Sequence, residues 1–352
     1  MKCGERVDVQ QNKKVTIDDV AKLCGVSKTT ISRYLNGKFE NISAETRERI
    51  RVVIQELDYR PNRTAQRLKA RRTMLVGCVV GDVSSPFAGL LLKGITLVCE
   101  AAGYQVLFAD SGENPKKEKS AIEGFLASQV DGLIVNSPGG NEALLLELHA
   151  RGVPIVLADR GLMESGKLDT VVSTDRKSAC ECVRFLSDCG YTQVAFFSEG
   201  NHSITPRLLR YKGYQDGIKT AMPTGTESFL YEFDRKDPED GIRCMQDFRA
   251  RFPRERIAIL TVNGVTGRSV LSAFQALGIT PGREFGMCTF DDWSWLRLVP
   301  PGITSVANAS EEIGAESARL LLERISGKRP FDAPVAYKEI PACLKVRGST
   351  VK

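Results

Sequence analysis

Histidine is scarce: only His149 and His202 stand in the whole chain. That leaves little material for histidine-based acid–base catalysis. No G-x-S-x-G elbow, phosphate loop or dinucleotide fingerprint offers another route to chemistry. Neither an enzyme activity nor a cofactor is therefore expected. Long apolar runs are missing too. None reaches about 18 residues, so no helical membrane span and no membrane partner are expected. The opening MKCGERVDVQQNKK is polar and does not read as a signal peptide, which predicts a cytoplasmic protein. Closely spaced cysteine is nearly absent. The ten cysteines are scattered, with Cys180-x-Cys182 the only close pair. Two ligands do not make a zinc site, so reduced, mostly buried thiols and no metal are expected. No heptad tail follows the last strand-like segment before Lys352, which predicts a homodimer rather than a tail-built tetramer.

Charge is unevenly spread. Residues 1–72 hold 17 Lys and Arg against 9 Asp and Glu, and the remaining residues hold 32 against 34. A basic module on a near-neutral body is the electrostatic footprint of a polyanion partner. A basic tail on a membrane surface is the competing reading. Against it, the basic residues interleave with helix-period patterns, and no lipidation signal is present.

Three such patterns fill about fifty residues. VTIDDVAKLCG has a capping box at Thr16 and Asp19 and an inward stripe of Ile17, Val20, Ala21 and Cys24. Gly25-Val26 turns into SKTTISRYLNG. There Ser27 is a plausible N-cap, and Asn36-Gly37 supplies a stop. Ile31, Tyr34 and Leu35 share one face, while Lys28, Thr29, Ser32, Arg33 and Asn36 share the other. The third helix starts at the Ser43 cap and packs through Ile50, Val53, Ile54 and Leu57. Two helices joined by a glycine turn and buttressed by a third predict a helix-turn-helix domain, whose second helix enters the major groove of DNA. Arg33 can make a bidentate contact to guanine, while Lys28, Thr29 and Ser32 reach base edges or phosphates. Next comes YRPNRTAQRLKARR. Asn62 can cap a helix of about seven residues, too short to be stable alone. Leu68, set among arginines, suits insertion into a minor groove; a flexible basic linker is the alternative.

From Met74 the pattern changes. MLVGCVVGDV, YQVLFAD, DGLIVNSP, VPIVLAD and TVVSTD are strand-like and are separated by helical stretches. TQVAFFSE, ESFLYEFD, RIAILTVN and EFGMCTF repeat the alternation. Alternation of this kind predicts two similar α/β units, each a parallel sheet covered on both faces. Such sheets bind ligands beyond the carboxyl ends of their strands, here in the cleft between the units. The polar groups at those ends include Asp82, Ser84, Ser85, Asn136, Asp159-Arg160, Arg207, Arg210, Asn263 and Asp291-Asp292-Trp293. Carboxylates, amides and arginines beside aromatic rings suit a polyhydroxylated ligand.

The stretch T-I-D-D-V-A-K-L-C-G-V-S-K-T-T-I-S-R-Y-L-N-G, then S-A-E-T-R-E-R-I and Y-R-P-N-R-T-A-Q-R-L, resembles the headpiece and hinge of the lactose-repressor (LacI/GalR) family. G-D-V-S-S-P-F, V-D-G-L-I-V, S-T-D, R-x-x-G-Y, F-D-D and L-K-V-R-G-S-T extend the resemblance over the body. It implies an all-α headpiece on a periplasmic-binding-protein-like body of two doubly wound subdomains joined by three crossovers. It implies a regulator of carbohydrate catabolism, a repressor released from a palindromic operator by a sugar or sugar-acid effector. The implied divisions are a tail at 1–14, a headpiece at 15–60 and a hinge at 61–73. One subdomain takes 74–173 with 308–333, and the other takes 174–307 with 334–348. The implied base-readers are Lys28, Thr29 and Arg33, with Leu68 prying open the central step. Thr16, Ser27, Asn62 and Ala65 complete the DNA-facing set. The implied effector contacts are Asp159, Arg210, Asn263 and Asp291, with Phe87, Gln129, Pro206 and Trp293 or Trp295 lining the pocket. The Phe-Asp-Asp-Trp run and the trio Arg160, Arg207 and Arg210 resemble the ketodeoxygluconate-responsive members, which implies a carboxylate on the ligand held by those arginines. Asn263-Gly264 and Gln129 depart from the commoner Asn-Asp and Arg of the family.

Overall fold

The computed structural model describes residues 15–35, 37–59, 72–162, 166–200, 204–234 and 237–351. Asn36, Asn62, Ala65, Leu68 and His202 lie outside the described residues. The chain divides into two compact units, Met1–Thr73 and Met74–Lys352.

The first unit is helical: α1 is Ile17–Cys24, α2 is Lys28–Leu35 and α3 is Ala44–Glu56. The capping box at Thr16 and Asp19 forms in both directions, and Gly25 closes α1 with a left-handed φ of 64°. Ser27 accepts the Thr30 amide at 3.2 Å, and Ser43 accepts the Thr46 amide at 3.2 Å. These bonds satisfy amides that the helix starts would otherwise orphan. Val20, Ala21, Cys24, Ile31 and Ile50 form a small shared core, with Tyr34, Leu35, Val53, Ile54 and Leu57 against it.

The second unit holds two sheets. β1 (Leu75–Val80), α4 (Pro86–Ala101), β2 (Gln105–Asp110), α5 (Pro115–Ala127), β3 (Gly132–Val135), α6 (Glu142–Ala150), β4 (Ile155–Ala158) and β5 (Asp169–Ser173) build the first lobe. The second lobe is α7 (Asp175–Asp188), β6 (Gln193–Ser198), α8 (Thr205–Ala221), β7 (Phe229–Glu232), α9 (Pro238–Arg251), β8 (Ile257–Thr261), α10 (Gly264–Leu277), β9 (Gly286–Phe290) and β10 (Thr304–Ala307). Then α11 (Ser310–Ser326) returns to the first lobe, packing against α4 and β4. β11 (Tyr337–Ile340) pairs parallel with β5, and β12 (Cys343–Lys345) pairs antiparallel with β10. The sheet orders are β11-β5-β4-β3-β1-β2 and β12-β10-β9-β8-β6-β7, the same strand order twice apart from the direction of the last edge strand. Placing all of 334–348 in the second lobe was therefore wrong. Tyr337–Ile340 belongs to the first sheet, because the chain adds one edge strand to each sheet in turn.

Central strands such as β3, β4, β8 and β9 are buried along their whole length, as both-face coverage requires. Helix contacts lock the layers. Gly94 on α4 and Gly314 on α11 let two backbones touch: a Cβ on Gly314 would overlap the Leu91 carbonyl, and one on Gly94 the Glu311 carbonyl. Replacing Gly314 with Ala is expected to cost about 1–3 kcal/mol of unfolding free energy in urea melts. Gly124→Ala on α5 meets open space and should be neutral or stabilise by up to about 1 kcal/mol. Equal effects of the two would contradict the close helix crossing.

Candidate functional site

On the first unit, α2 presents Lys28, Thr29 and Arg33 to solvent, with Ser32 half-buried, while Ile31 on the other side is wholly buried. Lys28 Nζ lies 2.6 Å from Asp18 Oδ1, and both side chains are more than half exposed. Such a pair is worth little and yields readily to a stronger anion. Thr16 accepts an amide at the start of α1 and Ser27 at the start of α2. The face combines hydroxyls with two cations, the donor set that phosphates and guanine edges accept from.

On the second unit, the carboxyl ends of both sheets meet at a cleft holding about 90 Å³ of free volume. The first lobe supplies Asp82, Ser85, Phe87 and Ala88 after β1, Glu113 after β2, Asn136 after β3, and Asp159 with Arg160 after β4. The second lobe supplies Glu199 after β6, Ile204, Pro206, Arg207 and Arg210 around the start of α8, Asn263 and Val265 after β8, and Asp291 after β9. The repeated topology puts Asp159 and Asp291 at matching positions. Each follows the fourth strand of its lobe, and their left-handed φ values are 67° and 68°. Their amides bond to Val171 and Val306 of the next strand at 2.7 and 3.0 Å. Two non-glycine residues held in a sparsely populated conformation at one site mark strain of the kind found where side chains are aimed for function.

Each arginine of the cleft already faces a carboxylate. Arg160 makes a two-pronged bond to Glu113 at 2.7 and 2.9 Å. Arg207 lies 2.7 Å from Glu199, and Arg210 Nε lies 2.7 Å from Asp175. Arg210 also donates to the Val262 carbonyl at 2.8 Å and stacks 4.4 Å from the Phe290 ring. Asn263 caps α10 by accepting the Thr266 amide at 2.8 Å, and it donates to Glu199 at 2.9 Å. Asp291 accepts from the Gly264 amide at 3.0 Å and from Asn308 at 2.9 Å. Asp159 Oδ1 is buried with no hydrogen-bond partner among the described residues, as is Asp175 Oδ2, but Asp175 has its other oxygen on Arg210. Burial first, then the charge of Asp175, pushes the Asp159 carboxyl up to about 7, against the pull of Arg210 and Arg160. Burial likewise raises Asp175 despite its bond to Arg210. Burial tends to lower Arg210, but the carboxylates of Asp175, Asp291 and Asp159 outweigh it and hold the guanidinium above its ordinary value.

Phe87, Asp159, Arg160, Pro206, Arg207, Arg210, Asn263 and Asp291 thus come together. Two expected lining residues do not. Gln129 follows α5 and precedes β3, at the amino end of the sheet, where its amide bonds to Leu126 at 2.9 Å. Trp293 is 8% exposed and packs on Gly264, where a Cβ would sit 3.0 Å from the indole. With Trp295 it borders a separate hollow of about 570 Å³ alongside Pro86 and Leu90. The glycine at 264 opens the space that draws the indole away from the cleft. The idea that three arginines wait for a ligand carboxylate also changes, because protein carboxylates face all three. Glu113, Glu199 and Asp175 were missed. Glu199 directly follows β6 and Asp175 ends the strand-like TVVSTD, so the strand-end rule applied to both.

The family model described as bacterial regulatory proteins, lacI family, matches residues 16–62. A periplasmic binding protein-like domain matches 183–350. The HTH-type transcriptional regulator KdgR of Bacillus subtilis (strain 168) is 36% identical over 314 residues, covering 89% of this chain and 92% of the relative. The chain belongs to the lacI family of bacterial regulatory proteins. The PtxS regulator of Pseudomonas plecoglossicida is 33% identical, covering 97% of each chain. A lac repressor dimer bound to operator and the anti-inducer ONPF shares the fold with a TM-score of 0.80, at 23% identity, over 97% of this chain and 100% of that one. This lacI-family protein is accordingly a ligand-responsive, DNA-binding transcriptional regulator, and its relatives are regulators rather than enzymes. No helix among the described residues is long and apolar enough to cross a membrane.

The Asp159 environment predicts a pH-dependent stability effect. A carboxyl raised in the fold opposes folding increasingly as pH climbs from its unfolded value of roughly 4 to about 7. Asp159→Asn should therefore melt above the wild type at pH 8, with the gap closing towards pH 4. A gap that stays constant across this range would contradict the assigned environment.

Proposed function

We propose that this regulator is a cytoplasmic homodimeric repressor of carbohydrate-catabolism genes, released from a palindromic operator by a sugar or sugar-acid effector. The observation that carries the effector reading is the convergence of eight expected polar and apolar residues from both lobes on one cleft. Asp159, Arg210, Asn263 and Asp291 would take the ligand's hydroxyls, with Arg160 and Arg207 at the margin. Phe87 and Pro206 would cover its C–H surface. The starts of α4, α8 and α10 add amide dipoles to the same cleft. Two related structures hold ligands: the lac repressor dimer is bound to operator and an anti-inducer. A CelR regulator, 26% identical with a TM-score of 0.67 over 95% of this chain and 99% of that one, is a cellobiose complex.

On DNA, Lys28, Thr29, Ser32 and Arg33 would read base edges, and Thr16, Ser27 and Asn36 would position the helix. Asn62, Ala65 and Leu68 would form the hinge contact, Leu68 as the wedge. A ligand that favours one separation of the lobes biases the DNA-binding equilibrium, and a coupling of about 1–3 kcal/mol per site is enough for regulation. Gel shifts on genomic fragments at fixed salt, with and without a panel of sugars and sugar acids, test the proposal. One sequence should be retained above bulk DNA, and a panel member should release it. Salt-sensitive binding without sequence preference would contradict it. On the selected sequence, Arg33→Ala should lose about 1–3 kcal/mol of discrimination against non-specific DNA. Unchanged discrimination would remove Arg33 as a base-reader.

A further inference from the structure

Among the described residues, the cleft's arginines are already engaged by protein carboxylates. The three guanidiniums face Glu113, Glu199 and Asp175. Asp159 is the carboxylate left over, only 6% exposed, with Oδ1 unbonded among the described residues. Four charged groups face it: Arg160 on its own loop, Asp175 at the start of α7, Arg210 on α8 and Asp291 after β9. Both cations lie within 2.7 Å of other carboxylates. A buried carboxylate oxygen without a donor keeps its desolvation cost. A proton removes that cost, and so does a ligand hydroxyl.

We propose that Asp159 carries a proton in the effector-free cleft and that an effector hydroxyl replaces it, so that effector binding releases a proton to solvent. The inference rests on the effector reading above and refines it. The group set against Asp159 is a neutral hydroxyl of a polyol, even if a carboxylate stands elsewhere on the ligand. No covalent bond changes. The carboxyl O–H proton goes to water, and the ligand O–H then donates to the resulting carboxylate. Donors favour the ionised form and lower its affinity for protons. The carboxyl is held up at about 7 before binding, so effector affinity rises with pH through neutrality and levels off above it. Linkage puts the gain at roughly tenfold between pH 6 and pH 8. A ligand carboxylate placed against Asp159 would act in the opposite sense. It would add to the negative cluster, bind with proton uptake, and weaken as pH rises.

Two measurements test this. Infrared difference spectra of the effector-free wild type minus Asp159→Asn, from pH 5 to pH 9, should show a protonated-carboxyl band that titrates away near neutrality. Its absence at pH 5 and 6 overturns the stored proton. Titration calorimetry of the wild type with 2-keto-3-deoxygluconate and with D-glucose, in phosphate and in Tris at pH 7, needs no variant. Binding heat that differs between buffers in the sense of proton release supports the exchange. Buffer-independent heat, or proton uptake, overturns it. If neither sugar binds, the effector reading itself fails and the exchange falls with it, while the infrared band still decides whether Asp159 holds a proton.

Discussion

The burial of one guanidinium among three carboxylates organises this regulator's cleft. Arg210 is 4% exposed, bonded to Asp175, and within the field of Asp159 and Asp291. Removing charges from water is expensive, and a single cation cannot compensate three ionised carboxylates, which favours a proton on one of them. The fold bears that cost because the residues are fixed from elsewhere. Arg210 rides on α8, whose Gly213 lets it lie against the backbone of α7 at Arg176. Asp175 begins α7 itself. Asp159 and Asp291 hang from matching strands of opposite lobes. The excess of carboxyl groups is thereby directed into the cleft, where a ligand hydroxyl would offer what the protein withholds.

The same arrangement would let a ligand bias conformation. Arg210, Asp175 and Asp291 stand on the second lobe, and Asp159 and Arg160 on the first. Each lobe has its own apolar core, so the lobes are stiff bodies meeting over a polar seam. Direct bonds cross that seam at Thr205 to the Gly161 carbonyl, 2.6 Å, and at Ser173 to Asn308, 3.2 Å. A polar seam with few hydrogen bonds among the described residues is the kind of element whose two arrangements differ by little free energy. That is what a sensor requires, because a ligand shifts an equilibrium only by its differential affinity for the two states.

Much of this was legible in the residues. The helix-turn-helix reading rested on local chemistry: the box at Thr16 and Asp19, the cap at Ser43, the glycine at 25 and the buried face at Ile31. Each of these acts within a few residues and survives in the fold. Strand ends were legible for the same reason, since the carboxyl end of a parallel strand is both a sequence position and a place in space. Non-local matters were not. Nothing near Tyr337 announces that it pairs with Thr170. Trp293 looked like a pocket wall until Gly264, nearly thirty residues away, offered it a seat. The arginines read as waiting for an anion because Glu113, Asp175 and Glu199 reach them only through tertiary packing. Gln129 was carried by resemblance alone, and its own surroundings place it at the wrong end of the sheet.

The most direct test of effector control is thermodynamic reciprocity in the full-length protein. Effector affinity should be measured with and without saturating operator DNA, and operator affinity with and without saturating effector. A cleft that governs DNA binding requires both affinities to change by the same factor. Identical effector affinity in the presence and absence of operator would contradict the account, however tightly each ligand binds alone.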